Sequence, residues 1–363
     1  MEKRKHIAGA WVTGVAGLLM LQVMSLSAQI SEGGFPPGFQ YAVTLRNSQA
    51  VEQIPVTFYV EDLKRVDEWQ VAEGAPVAVA TLIDVALNPQ NAGRWTTLPG
   101  GESVWQLHLQ ARGALALLLY YSDFYIPEGG KLFLYNAEKT QVLGAYTHRT
   151  HPSGGRFATE FVAGDELTLE YVASPDDSDL RIEIEAVGYG YNHLTVGNGA
   201  VSLRASASCE VNVNCDEGDR WQSQKKGVCR TVQRIGSKSY LCSASLLNNT
   251  AGDLKPYILT AQHCSVDGDG KEASDEDMKQ WVFYFHYETN GCGSGSDRVP
   301  SKTISGCRKM VATQTYGESD GLLLLLNTDI PEAYDVYYNG WDRRDKPALS
   351  GVSIHSPAGD YLT

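Results

Sequence analysis

Cysteine is missing from the first 208 residues of this 363-residue chain. That absence excludes a disulfide framework or a thiolate metal site upstream, so this part must hold together by apolar packing. Basic blocks are scarce too: beyond Lys3, Arg4 and Lys5 no Lys/Arg-rich run occurs, and the formal net charge is -13. No electrostatic footprint for nucleic acid follows, and nucleic acid is excluded as a partner. Long apolar runs are absent as well. The stretch from about Val12 to Met24 is interrupted by Thr13, Gly14, Gly17 and Gln22 and is too short to span a bilayer. No Cys-x-x-Cys pair supports a zinc site, and no metal or cofactor is expected.

What is present at the N-terminus reads as an address. Lys3 to Lys5 precede the apolar stretch, and Ser25, Ser27 and Ala28 supply small residues for cleavage. Residues 1–28 are therefore expected to be a secretory signal peptide cut near Ala28, rather than a membrane anchor. The mature product is then secreted or held at the cell surface, with no membrane contact after cleavage.

From 29 to 204 short alternating segments are broken by turn residues. Strands are expected at Ser103–Gln110, Ala114–Tyr121, Lys131–Tyr135, Arg156–Val162, Glu166–Val172 and Leu180–Val187. With no convincing amphipathic helix between them, the region reads as a β-sandwich. The composition changes near residue 205, and all seven cysteines fall at Cys209, Cys215, Cys229, Cys242, Cys264, Cys292 and Cys307. Export makes disulfides their default state, yet an odd count leaves one without a partner. That thiol either pairs between chains or has its partner beyond the residues given. From 205 to 363 the pattern is again β-rich, with strands expected at Tyr240–Leu247, Tyr257–Thr260, Gln280–Tyr287, Gly321–Leu326, Val336–Gly340 and Gly351–His355. Such a mix fits one or two barrels with functional residues on loops.

Two elements carry chemistry. Tyr257-Ile-Leu-Thr-Ala-Gln-His-Cys264 is an apolar strand that ends by presenting His263 beside a cysteine, a placement that fixes an imidazole for proton transfer. Glu318-Ser-Asp-Gly321 precedes five leucines, and an aspartate at that lip can hold a histidine in one tautomer. Each alone has a plainer reading, as a structural histidine and a turn aspartate. Gly317-Glu-Ser-Asp-Gly321 also spells Gly-x-Ser-x-Gly, but a nucleophile elbow needs a helix after the serine, and a leucine strand follows here. The acidic loop Asp267 to Asp277 has Lys271 where a calcium loop needs a ligand, and it reads as solvated. Trp341, Arg343, Arg344 and His355 are assigned structural positions.

Thr260-Ala-Gln-His-Cys264 resembles the Thr-Ala-x-His-Cys signature of chymotrypsin-fold serine proteases. The wider pattern is similar to bacterial lysyl endopeptidases, through Cys209-x5-Cys215-Asp-Glu-Gly-Asp219, Cys242-Ser-Ala-Ser-Leu-Leu-Asn-Asn249, Ser319-Asp-Gly-Leu-Leu-Leu-Leu-Leu-Asn327, Gly340-Trp-Asp-Arg-Arg-Asp345 and Gly351-Val-Ser-Ile-His-Ser-Pro357. The resemblance spans Cys209 to about Gly359, and residues 29–204 look like the propeptide such proteases carry. It implies an all-β chain, a β-sandwich-like prodomain followed by an incomplete chymotrypsin-like double β-barrel, acting on protein or peptide substrates after Lys or Arg. His263 would be the general base and Asp320 its orienting carboxylate. Disulfides Cys242–Cys264 and Cys215–Cys292 are implied, Cys209 is left unpaired, and Cys229 with Cys307 would make an additional bridge by elimination. Chain order in this fold puts the nucleophile after Asp320, where only Ser350, Ser353 and Ser356 occur, none in a Gly-rich loop. The nucleophilic serine is thus expected beyond Thr363 and maturation after Arg204. The competing reading is a secreted β-sandwich binding protein with an inactive protease-like appendage.

Overall fold

The computed structural model describes residues 31–41, 51–72, 74–192, 210–293, 301–314, 319–357 and 360–363. Ala28, Arg204 and Cys209 lie outside the described residues. The fold is all-β, as expected. Upstream strands are β1 (Val51–Gln53), β2 (Val77–Leu87), β3 (Arg94–Thr97), β4 (Ser103–Gln110), β5 (Ala116–Tyr125), β6 (Lys131–Asn136), β7 (Val142–Tyr146), β8 (Phe157–Ala158), β9 (Val162–Ala163), β10 (Glu166–Val172) and β11 (Arg181–Gly190). Downstream come β12 (Val228–Ile235), β13 (Lys238–Leu247), β14 (Tyr257–Ala261), β15 (Val282–Phe285), β16 (Lys302–Ser305), β17 (Cys307–Ala312) and β18 (Gly321–Leu326).

Upstream, one sheet runs β1-β4-β10-β6-β7 with β3 added on β4, and it faces a second layer in which β2, β11 and β5 are neighbours. Leu107, Leu109, Leu167 and Leu169 from the first layer and Leu117, Leu119, Ile182 and Ile184 from the second share one buried cluster. Alternation along β4 and β10 produces this, because every second side chain turns to the same face. Glu170 is fully buried on β10 and accepts from the Gly38 amide, Gln106 Nε2 and Tyr135 Oη at 2.5, 2.7 and 2.8 Å, which satisfies the charge.

Downstream, the strands follow the order β16-β15-β12-β13-β14-β18-β17. The two outer members, β16 and β17, are consecutive in the chain and separated only by Gly306, whose φ of +89° makes the bend. The sheet therefore curls back on itself. A cluster that includes Leu246, Ile258, Trp281, Phe283, Leu322 and Leu324 fills its interior.

The two parts share a sheet. β2 pairs antiparallel with β11 on one side and with β13 on the other, so that Ala80 lies between Gly190 and Ser239. A third cluster draws Val79, Leu118, Tyr120 and Phe161 from upstream and Val232, Leu241, Val282 and Tyr284 from downstream.

Three expectations need correction. Val60–Ala72 is a helix of 13 residues, although the upstream part showed no amphipathic helical pattern. Its buried residues, Asp67 and Gln70, are held by Lys238 at 2.8 Å, Tyr191 at 2.5 Å and Asp269 at 3.3 Å, while Val60 and Leu63 pack against the upstream core, so the inward face is part polar and part apolar. Val336–Gly340 and Gly351–His355 are not strands. Neither extends a ladder: Asn339 bonds Leu246 O and the Asn248 N–H in an isolated parallel bridge, and His355 forms a mutual pair with Thr363. The third correction concerns cysteine: Cys229 and Cys307 do not bridge but are free and buried. Cys229 sits on β12 between its partners on β13 and β15, whereas Cys307 opens β17 and directs its thiol to Met278 O at 3.6 Å. Burial pushes both thiols well above their ordinary range. The other two pairs are disulfides, Cys215–Cys292 and Cys242–Cys264.

A maleimide applied to the native protein should label neither Cys229 nor Cys307, and both should label after unfolding without reductant. Mapping the labelled peptides by mass spectrometry checks this, and recovery of a Cys229–Cys307 cross-linked peptide would contradict it. Near Cys215–Cys292, Glu288 is buried with Lys225 Nζ at 2.5 Å and Asn214 Nδ2 at 2.9 Å. Burial alone would raise its carboxyl, but bonds from His286, Lys225 and Asn214 outweigh this and hold it at about 2, below its ordinary 4.5. A depressed folded-state value stabilises the fold above about 4.5 and is lost as pH falls toward 2. Denaturant midpoints should accordingly drop across that window, with a shallower drop in Glu288→Gln.

Candidate active site

β14 and β18 run antiparallel with Ala261 opposite Gly321. The register decides the site, because His263 lies just past the end of β14 and Asp320 just before β18. Both come out at the same end of the pair. After Ala261 the chain tightens into a 3-10 turn, Gln262–Ser265, in which Ser265 Oγ donates to Gln262 O at 2.8 Å. Thr260 Oγ1 ties the strand end to Ser243 O at 2.9 Å. Buried Cys264 fastens the turn to Cys242 on β13 through a disulfide with Cα atoms 6.2 Å apart. Closing this 22-residue separation is worth about 3 kcal/mol in chain entropy.

Asp320 then grips the histidine twice. Its Oδ1 accepts the His263 backbone N–H at 2.9 Å, and its Oδ2 lies 2.7 Å from Nδ1. An ionised carboxylate accepts only, so Nδ1 carries the hydrogen and Nε2 keeps its lone pair. The histidine side chain is 39% exposed, and Cys264 Sγ lies 3.8 Å from Nε2. Among the described residues no hydroxyl bonds to Nε2. Cys242, His263 and Cys264 bring their ligand atoms within 4.8 Å of one another, but both sulfurs are spent in the disulfide and offer no thiolate to a metal.

Asp320 is also strained. Its φ of +50° is left-handed, uncommon for a residue with a Cβ though less so for aspartate. Its backbone is held on both sides: Asp320 N–H donates to Gln314 O at 3.2 Å and Gln262 N–H donates to Asp320 O at 2.9 Å. Thr313 closes the bend, its Oγ1 accepting Gly321 N–H at 2.7 Å while lying 3.0 Å from Ser319 Oγ. The sequence carried no signal for Thr313, since a lone threonine eight residues from a glycine has no pattern.

Other singled-out residues fall elsewhere. Ser319 bonds to Thr313 and precedes β18, so it does not sit on a strand-to-helix elbow. The carboxylates of the acidic loop are engaged by protein: Asp267 by the amides of Asp269 and Lys271, Asp269 by Gln70, Glu272 by Gln262 and Lys309, and Asp277 by Arg234. Residues 269–272 and 274–276 are exposed, so the loop is largely solvated and is anchored at buried Ala273 and Asp277. His355 Nε2 lies 4.0 Å from Glu210, and Ser356 N–H donates to Ser243 Oγ at 2.9 Å.

Thr313→Val should weaken the bend by about 1 kcal/mol, as a part-buried acceptor is lost, and should shift or broaden the low-field Nδ1 proton resonance of His263. Thr313→Ser, which keeps the hydroxyl, should leave that resonance in place. An unchanged resonance in Thr313→Val would show that Asp320 is held without it.

Residues 203–362 match the family model described as lysyl endopeptidase, C-terminal domain. A lysyl endopeptidase from Pseudomonas aeruginosa is 29% identical over 207 residues, a match that takes in 55% of this chain and 43% of that protein. The chain thus spans less than half the length of this curated relative in the match. His263, Asp320 and both disulfides lie within the matched region, which is similar to the C-terminal domain of lysyl endopeptidases.

Proposed function

We propose that this chain is part of the precursor of a secreted serine endopeptidase that cleaves proteins or peptides after Lys or Arg. The observation that carries the reading is the His263–Asp320 pair, with the imidazole Nδ1 2.7 Å from a carboxylate that also accepts the same residue's backbone amide. In the proposed mechanism Nε2 takes the proton of a serine hydroxyl as that oxygen attacks the scissile carbonyl. Asp320 keeps the tautomer and stabilises the imidazolium, which then protonates the leaving amine. Water repeats the cycle on the acyl-enzyme. The chain order of this triad places that serine after Asp320.

In this reading residues 1–28 direct export and are cut near Ala28. Residues 29–204 are the propeptide and residues 205–363 the first portion of the protease, with maturation after Arg204. Among the described residues no helix is long and apolar enough to cross a membrane. The basic preference is supported by the name of the relative and by arginine at the proposed processing position.

The test compares the product of the intact gene with two variants on Lys and Arg esters. His263→Ala should lower kcat by several orders of magnitude, and Asp320→Asn by about 10⁴, because an amide no longer enforces the tautomer. The 363-residue chain alone should hydrolyse neither ester. Full turnover in His263→Ala would sink the reading.

A further inference from the structure

The backbone bond from Gln262 N–H to Asp320 O is one tie between the histidine turn and the aspartate bend, and side chains make a second. Gln262 is 6% exposed, and its Nε2 donates to Glu272 Oε1 at 3.0 Å. The other carboxylate oxygen, Oε2, lies 3.1 Å from Lys309 Nζ. Lys309 belongs to β17 and sits opposite Leu324 on β18, the strand that Asp320 immediately precedes. Glu272 therefore touches both halves of the site, the turn that carries His263 and the strand pair that carries Asp320.

The backbone brings Glu272 to this point. After the histidine turn the chain doubles back through a bend closed by Asp267 N–H donating to Lys271 O at 2.9 Å, and Glu272 returns opposite Val266 in an isolated antiparallel bridge. Ala273 N–H then donates to Ser265 O at 2.8 Å. Among the described residues the Oε1 atom of Gln262 is buried and meets no donor, so the orientation of this amide beside His263 is set by Glu272. The ion pair is half-exposed, 33% at Lys309 and 53% at Glu272, and such a pair adds little to global stability. Its leverage lies in placement, because a small displacement of a reacting group costs rate steeply.

We propose that Glu272 is a positioning residue for the His263–Asp320 pair, acting through Gln262 and Lys309 to hold the histidine turn at a fixed offset from β17 and β18. The inference rests on the catalytic reading of that pair. Glu272 acts at one remove from the imidazole, so its loss lets the turn drift against Asp320 and slows proton transfer while substrate contacts stay as they are.

The experiment measures Lys-ester turnover by the product of the intact gene, together with the low-field Nδ1 proton resonance of His263. Glu272→Ala should lower kcat about ten-fold with KM nearly unchanged, and should broaden the resonance. Lys309→Met, which removes only the far end of the tie, should lower kcat about three-fold. Exchanging the charges, Glu272→Lys with Lys309→Glu, should recover most of the lost kcat, since an ammonium at 272 can donate to Gln262 Oε1 and pair with a carboxylate at 309. Lys255→Gln, which breaks the exposed Asp253–Lys255 pair, should leave kcat as in the parent. Parent kcat and a sharp resonance in Glu272→Ala overturn the proposal and, with His263→Ala inactive, leave the catalytic reading standing. A rise in KM at unchanged kcat, or an exchanged pair no more active than Glu272→Ala, also overturns it, by assigning Glu272 to loop packing alone. Full turnover in His263→Ala overturns both readings together.

Discussion

A strand edge cannot be left bare inside a compact molecule, and the pairing of β2 with β13 answers that constraint here. Everything upstream converges on it. β2 is long enough to pair with β13 over Val77–Thr81 and with β11 over Ala80–Leu87, so the upstream layer and the curled downstream sheet become neighbours in one hydrogen-bonded array. The polar cluster in which Gln280 donates to Glu185 and accepts from Arg234 is affordable only because this array fixes each donor against its acceptor.

The candidate site depends on a similar constraint at smaller scale. An antiparallel register sets Ala261 against Gly321, and His263 and Asp320 then have to meet at one end of β14 and β18. The disulfide to Cys242 and the left-handed bend at Asp320 limit the remaining freedom of the two side chains. Precision in this site comes from backbone geometry first and from side-chain contacts second.

Much of this was legible in the chain. Strands β4, β10 and β18 were readable to the residue, since each has a clear alternation or an unbroken apolar run between turn signals. The histidine turn and its disulfide were legible through the Thr-Ala-x-His-Cys resemblance. β12 was not, because Arg230, Thr231 and Gln233 break its apolar pattern although all three are buried. Arg230 lies 3.8 Å from the Tyr287 ring centroid and 4.5 Å from that of Tyr284, a stabilisation that only the tertiary fold supplies. The helix Val60–Ala72 was hidden for a related reason, since Asp67 and Gln70 break off the apolar face that Val60 and Leu63 begin. Pairing Cys229 with Cys307 by elimination failed because counting thiols ignores which face of which strand carries them.

Those two buried thiols bear on how the chain reaches its oxidised form. Six cysteines can be fully paired in fifteen ways and four in only three. If the apolar interior forms around Cys229 and Cys307 before oxidation is complete, their sulfurs are withdrawn from exchange, and the search for the Cys215–Cys292 and Cys242–Cys264 partners shrinks five-fold among the described cysteines. Hydrophobic collapse would then act as an editor of the redox chemistry, sparing the chain many wrong cross-links.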